Sequence, residues 1–421
     1  MRQQWTSIQR LGARLRTNGA RDVARRLAKR TARTISTTFR TSELDFPLLY
    51  ADIADSTVLQ LPTPQSLPSE EPLRIAWLCT PPGPGSGGHT TLFRMVQELE
   101  RRGHICTLLL YNRHGAELAH HTAVIREHWP WLRADIRYVP PEIEGYDVTV
   151  ASSWETAHVL ATRGTAAQHR FYFVQDFEPY FYPRGSLYAL AEDTYRFGFR
   201  HIAVGHMVQH LINDETGAAS VVAPFGCDTG VYRLENTGPR TGVVFFARPD
   251  VDRRGFLLAK LALEEFHARH PEQLITSYGD RPENWDVPHV HAGRLSPSDL
   301  NRLYNQSAAG LALSFTNVSL VPEEMLAAGM TPVVNDSPLA RMGLSNSHVS
   351  WANPTPAGLA AALCSAVEEP PSAHRLAMIA ASVRSGWEPA QHVVADDLER
   401  ACYGSGSPHS KPVGAGEHLE R

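Results

Sequence analysis

From Leu73 onward, apolar residues fall in short runs that alternate with segments of helical period. The first run, LRIAWLC at 73–79, reads as a strand buried on both faces. A glycine-rich loop follows, then TTLFRMVQELERRG, whose apolar residues recur every three or four positions and whose Gly103 supplies a C-terminal cap. HICTLLLYN reads as the second strand, and further runs lie at YDVTVAS, FYFVQDF, HIAVGH and SVVAPFG. Helices over 155–162 and 205–213 stand between them. Apolar strands alternating with helices predict a parallel sheet covered on both sides.

The pattern then restarts. GVVFFARP is a new first strand, followed by the helix GFLLAKLALEEFHARHP, the strand LITSYGD and the helix SPSDLNRLYNQ. The strand AGLALSF, the helix PEEMLAAG and the strand TPVVND complete a second set, and GWEPAQHVVADDLERAC reads as one final helix. The expected fold is therefore α/β, with two Rossmann-like, doubly wound parallel-sheet domains whose strand C-termini face a shared cleft. The expected boundaries are an N-terminal extension and Pro-rich linker over 1–66, a first domain over 67–230 and a second over 231–385. A crossover helix over 386–403 returns to the first domain, and a low-complexity tail over 404–421 is expected to be disordered.

Composition narrows the function classes. With 421 residues, 43% hydrophobic and 20% charged, the chain is long enough for two cores. A net charge of −4 leaves no global positive field for a nucleic acid. Five cysteines without zinc-ligand spacing point to a reduced, cytoplasmic setting, and no apolar run is long enough to span a membrane. Residues 1–42 differ from the rest, with ten Arg and one Lys against Asp22, a local charge of +10. They read as a basic amphipathic helix on an anionic membrane surface, as a solvated basic arm, or as a transit peptide.

Candidate chemistry gathers at the strand ends. Gly83, Gly85 and Gly88 match G-x-G-x-x-G before a helix, where open backbone and the helix N-terminus favour an anion. The dinucleotide version of that motif wants an acid after the second strand, but Tyr111-Asn112-Arg113 stands there; an NADP site on Arg113 stays open. In FARPDVDRRGF, Arg248, Arg253 and Arg254 suit a diphosphate. Glu324, early in a helix, suits a ribose, and the alternative is a carboxylate answering the helix dipole. In ASSWETAH and YFVQDFEPYFYP, Trp154, Glu155, Asp176, Glu178, Tyr180 and Tyr182 set aromatic faces beside acids, a pattern that suits sugar binding; core packing with surface acids is the bland alternative. His89 is a further catalytic candidate because it follows the glycine loop, and no His/Cys cluster suggests a metal or a cofactor.

Together these segments resemble family 4 glycosyltransferases of the GT-B fold, over Leu73 to about residue 403. The nearest branch is the dTDP-β-L-rhamnose-dependent rhamnosyltransferases of bacterial surface-glycan assembly. PFGCDTGVY at 224–232 resembles their interdomain signature, FARPDVDRRGF their diphosphate element with Arg for Lys, and PEEMLAAGMTPVV their E-A-M-A-x-G-x-P-V-V element. The resemblance implies that Arg248 with Arg253 or Arg254 holds the donor diphosphate, that Gly87 and Gly88 cover it from the opposite domain, and that Glu324 takes the ribose. The first glutamate of the family's E-x7-E pair falls on Thr316, a departure that alters the sugar surroundings. The implied reaction is retaining and metal-independent, with a nucleotide-sugar donor, a glycan or lipid-linked glycan acceptor, and Asp176 or Glu155 orienting the acceptor hydroxyl. Three other classes remain: an inactive scaffold of a glycan-assembly complex, an NADP-dependent oxidoreductase, and a nucleotide-sugar epimerase.

Overall fold

The structure is a computed structural model that describes Thr31 and residues 46–404, apart from 69–70, 113–116, 167, 284, 319 and 385. The basic segment 1–42 (Thr31 aside), Arg113 and the tail after Gly404 thus lie outside the described residues. Two compact units divide the chain, residues 1–53 and 54–421. The described part of the first carries one 3-10 turn, Tyr50–Asp52. Everything that follows belongs to the second.

The first sheet and its helices run β1 (Arg74–Cys79), α1 (Gly87–Arg101), β2 (Ile105–Leu110), α2 (Leu118–His128), β3 (Asp135–Tyr138), β4 (Val148–Ala151), α3 (Trp154–Arg163), β5 (His169–Val174), α4 (Ser186–Asp193), β6 (Arg200–Val204), α5 (His206–Thr216) and β7 (Ser220–Ala223). The strand order is β3-β2-β1-β4-β5-β6-β7 and every pair is parallel. Trp77 of β1 lies between Leu108 of β2 and Val150 of β4. With Phe93 and Phe173 it anchors a core that only helices on both sheet faces can close.

The second set runs β8 (Val243–Ala247), α6 (Phe256–Arg269), β9 (Ile275–Gly279), β10 (Val290–His291), α7 (Pro297–Gln306), β11 (Ala309–Leu311), α8 (Val321–Ala327), β12 (Thr331–Asn335), α9 (Pro338–Gly343), β13 (Ser350–Ala352), α10 (Pro356–Glu368) and α11 (Ala373–Ala381). Its order, β10-β9-β8-β11-β12-β13, is again wholly parallel. One core cluster lies around Tyr304 and Met325, the other around Phe245 and Phe266.

The last helix, α12 (Glu388–Tyr403), leaves the second domain and places Val394, Leu398 and Cys402 in the core of the first. Ion pairs fix it there: Asp397 holds Arg200, and Glu399 holds Arg102 at 3.0 Å and His104 at 3.0 Å. Two chain segments therefore pass between the domains, and they cross at Gly226 and Gly386. A Cβ on Gly226 would stand 2.4 Å from the Gly386 carbonyl oxygen, so backbone touches backbone there.

Candidate active site

The C-terminal ends of β1, β4, β5, β8, β9 and β11 open into one cleft of about 960 Å³ between the two sheets. Parallel sheets concentrate ligand contacts at this edge, because loops and helix N-termini converge there.

The first-domain wall begins with the glycine loop. A Cβ on Gly83 or Gly87 would meet no atom within 4 Å, and one on Gly88 would meet only the Gln175 side chain at 3.6 Å. Packing within the chain does not require glycine at these positions. Open backbone beside a helix N-terminus is what a ligand phosphate uses. The Ser86 side chain does not cap α1; its hydroxyl pairs with His89 Nδ1 at 2.8 Å. His89 Nε2 bonds the Thr80 carbonyl oxygen at 2.9 Å, which fixes that nitrogen as the donor and Nδ1 as the acceptor. Burial holds this imidazole below its ordinary pKa, so it is neutral and staples the loop with both nitrogens engaged.

On the opposite wall, Arg248, Arg253 and Arg254 follow β8 and all reach the cleft. Gly255 ends their turn with a φ of +64°, and a Cβ there would press on Phe315 at 2.9 Å. Arg248 approaches Asp280 at 3.3 Å and lies over the Phe246 ring. Arg294 approaches the other Asp280 oxygen at 3.3 Å. Arg254 donates to Ser314 Oγ at 2.9 Å, and the Arg253 guanidinium sits 4.0 Å from the Phe181 ring centre of the first domain. Burial depresses the pKa of Arg253 and Arg254, and Asp176 pulls both back up. Among the described residues neither forms an ion pair. Two partly desolvated cations without a paired carboxylate make an anion site.

Glu324 of α8 also lines the cleft. Burial raises its pKa to about 7, while a hydrogen bond from Tyr232 works against that rise. An Asp-x-Asp sequence does occur, Asp250-Val251-Asp252, although no metal pair is expected from the motifs read above. Both residues are exposed, and of the three only Val251 lines the cleft.

The sugar-binding candidates divide: Trp154, Asp176 and Glu178 border the cleft with most of each side chain buried, whereas Tyr180 and Thr316 do not line it. Trp154 is 1% exposed, its Nε1 donating to Tyr182 Oη at 3.2 Å, so no ring face is open to a pyranose. Tyr180 packs edge-on against Phe177 and does not line the cleft; its neighbour Phe181 does. Glu178 accepts from the Trp154 N–H and, at 3.0 Å, from Tyr172 Oη, and burial drives its pKa far up. Thr316 is 2% exposed and donates to Asp176 Oδ2 at 2.7 Å, while Asp176 Oδ1 accepts from the Asn317 N–H at 3.0 Å. Asp176 and Thr316 thus fasten the two domains to each other. Glu155 stands in the first turn of α3 and lines the cleft. The sequence reading passed over Phe181, Asp280 and Arg294. Asp280 carried a signal, since it ends the strand LITSYGD, whereas Phe181 lay hidden in an aromatic run.

Two facing Rossmann-like domains, a cleft lined by their strand ends and a helix that returns to the first domain define the GT-B fold. Residues 136–207 match the family described as WsaF, N-terminal domain, and residues 241–364 the one described as WsaF, C-terminal domain. The O-antigen biosynthesis protein RfbC of Myxococcus xanthus is 30% identical over 319 residues, covering 72% of this chain. This chain spans only 25% of that relative's length. Among solved structures, Anabaena HepE in complex with UDP-glucose superposes with a TM-score of 0.61 at 16% identity, over 77% of this chain and 99% of that one. Sucrose-phosphate synthase from Thermosynechococcus elongatus gives 0.56 at 12% identity, over 78% and 96%.

Proposed function

We propose that this chain is a glycosyltransferase of surface-polysaccharide assembly that moves L-rhamnose from dTDP-β-L-rhamnose to a glycan acceptor, with retention and without a metal. The observation that carries the proposal is the pair Arg253 and Arg254, which form no ion pair among the described residues and face the same cleft as the open glycines of α1. As the glycosidic bond breaks, charge grows on the leaving diphosphate. Preformed cations and helix N–H groups stabilise that charge at no reorganisation cost. The donor rests mainly on the second domain, with Glu324 taking the ribose hydroxyls. The acceptor enters from the first domain, and closure aligns the two.

Similarity to an O-antigen biosynthesis protein and to the WsaF domains supports the polysaccharide setting. HepE, of the same fold, was solved with UDP-glucose, which supports a nucleotide-sugar donor. Rhamnose rests on the resemblance of the motifs and on Thr316, which stands where the family's first glutamate would and is consistent with a deoxyhexose donor.

A thermal-shift screen against dTDP, UDP, GDP, ADP and NADP, each with its sugar nucleotide where one exists, tests this reading, because ligands of the folded state raise the melting temperature. The expected result is a shift with dTDP and dTDP-rhamnose that Arg254→Ala abolishes. A shift with another nucleotide discards rhamnose, a response to NADP alone replaces the reading with an oxidoreductase, and silence throughout leaves a scaffold. Proton NMR of the glycoside product reads the anomeric outcome, and activity in excess EDTA reads metal independence.

A further inference from the structure

Arg94, in the middle of α1, holds both chain segments that pass between the domains. Its Nη2 donates to Asp228 Oδ2 at 2.7 Å, and Asp228 belongs to the first segment, just after Gly226. Its guanidinium lies 5.5 Å from the ring centre of Trp387, which follows Gly386 in the second. Its backbone carbonyl accepts from Gln391 Nε2 of α12 at 2.7 Å. Trp387 and Gln391 are buried, so two of these three contacts are inside the molecule. Because Gly226 and Gly386 meet backbone to backbone, the segments move together, and Arg94 grips both beside that crossing.

Both directions from this grip lead to the donor cleft. Along the first domain, α1 is one uninterrupted helix. Gly87 and Gly88 open at its N-terminus, Thr91 and Leu92 line the cleft a turn further on, and Arg94 lies about 10 Å along the axis from Gly87 at 1.5 Å per residue. Toward the second domain, the Asp228 carbonyl accepts the N–H groups of Val231 and Tyr232, each at 2.8 Å. That turn brings Tyr232 to the cleft wall, where its hydroxyl bonds the Glu324 carboxyl. Neither Arg94 nor Asp228 lines the cleft, so neither touches the donor. Their ion pair is partly solvated and adds little to stability on its own. What it fixes is the placement of the glycine loop relative to Glu324.

We propose that Arg94 is a positioning residue for the donor: by holding Asp228 and Trp387 against α1, it sets the glycine loop of the first domain and Glu324 of the second at the spacing one nucleotide sugar needs. This rests on the glycosyl-transfer reading given above. A donor that lies between the two domains binds only the chains whose domains already stand at that spacing. Loss of Arg94 frees α1 from the crossing, spreads the domains over more arrangements and leaves every group that touches the donor in place.

The test measures domain placement and nucleotide affinity side by side. Nitroxide labels on Ala123→Cys of α2 and Glu264→Cys of α6 report the distance between domains, since both positions are exposed and the five native cysteines are buried. Pulsed electron resonance gives the share of free protein at the distance that nucleotide-loaded wild type holds. Calorimetry gives the affinity for dTDP, UDP, GDP and ADP. Apparent affinity falls with the share of chains in the competent arrangement. An ion pair and a cation–π contact together are on the scale of one factor of ten, so Arg94→Met is expected to lower both share and affinity about tenfold. Asp228→Asn keeps the stacked guanidinium and should lower both about threefold, and Arg94→Lys should recover part of the loss. A residue that only stabilises the fold would lower the melting temperature and leave both quantities unchanged. A share or an affinity that Arg94→Met leaves at its wild-type value overturns the inference alone. If that variant does not fold, Asp228→Asn, at a half-exposed side chain, decides the matter by the same two quantities. A wild type that binds none of the four nucleotides overturns the glycosyl-transfer reading, and this inference with it.

Discussion

Thr316 Oγ1 in the second domain donates to Asp176 Oδ2 in the first at 2.7 Å, and both residues are buried. The bond joins the two halves of the cleft where the donor site begins. Replacing Thr316 by Val keeps the shape and removes the donor. One buried carboxylate oxygen then lacks a partner, at a cost of about 1–3 kcal/mol. For a chain of this size that corresponds to roughly 2–4 °C per kcal/mol, read in a thermal melt. An unchanged melting temperature would mean that water replaces the hydroxyl and that the fastening is weak.

Arg254→Ala separates function from stability. The arginine donates to Ser314 and has no carboxylate ion-pair partner among the described residues, and burial depresses its pKa. Removing a buried cation that only the more distant Asp176 charge offsets costs the empty protein little. Loss of charge-assisted bonds to a diphosphate, about 1.5–3 kcal/mol, weakens nucleotide binding roughly tenfold to a hundredfold. Calorimetry with dTDP, alongside a melt of the free protein, checks both halves. A destabilised variant with normal affinity would make Arg254 a structural residue.

Phe181→Ala probes the contact between domains from the aromatic side. Its ring lies 4.0 Å from the Arg253 guanidinium, a partly desolvated cation–π contact worth about 1–2 kcal/mol. Losing the ring leaves Arg253 less fixed, so nucleotide affinity is expected to fall several-fold. If affinity is unchanged while turnover falls, the ring serves the acceptor instead.

The Glu324 carboxyl predicts a pH dependence of definite sign. Burial lifts its pKa from 4.5 to about 7. Between those values the folded chain holds a proton that the unfolded chain has released. This stabilising contribution is complete below pH 4.5 and lost as pH rises through 7. Glu324→Gln does not titrate, so its melting temperature should gain on wild type between pH 5 and pH 8. His201 has the opposite sign, since burial lowers its pKa from 6.5 to about 4, and it cancels in the comparison because both proteins carry it. A difference that stays flat over this range removes the buried carboxyl from the account.

Gly226→Ala tests the crossing of the two interdomain segments. The added methyl would stand 2.4 Å from a backbone oxygen of Gly386 and 2.9 Å from the Trp387 Cα, so backbone must move. Overpacking of this kind costs about 1–3 kcal/mol. The change should also alter closure, seen as a changed radius of gyration with and without dTDP in small-angle scattering.

The fold was legible in the chain because its strands are apolar on both faces. Runs such as LRIAWLC and GVVFFARP, each followed by a helical period, belong to parallel sheets and to little else. Weaker elements escaped. Asp135–Tyr138 is a short edge strand with one buried residue, and the Ala-rich helix Pro356–Glu368 has little polar contrast, although Thr355 caps it clearly. The arginines were legible because they end a strand. The roles of Trp154, Tyr180 and Thr316 were not, because exposure and cross-domain partners depend on how loops distant in sequence meet. The same aromatic run holds Phe181, which faces the cleft, and Tyr180, which does not.

The last helix has a consequence for how this chain is made. Leu398 and Cys402 are wholly inside the core of the domain that begins near residue 73. A core that contains residue 402 does not close before residue 402 has left the ribosome. The half synthesised first is therefore finished last, and it waits with an exposed apolar groove while the other half is translated. Chaperone dependence and aggregation during expression should follow the length of that wait, and any truncation that removes α12 should disable the first domain, whose last strand ends at Ala223, well before α12 begins at Glu388.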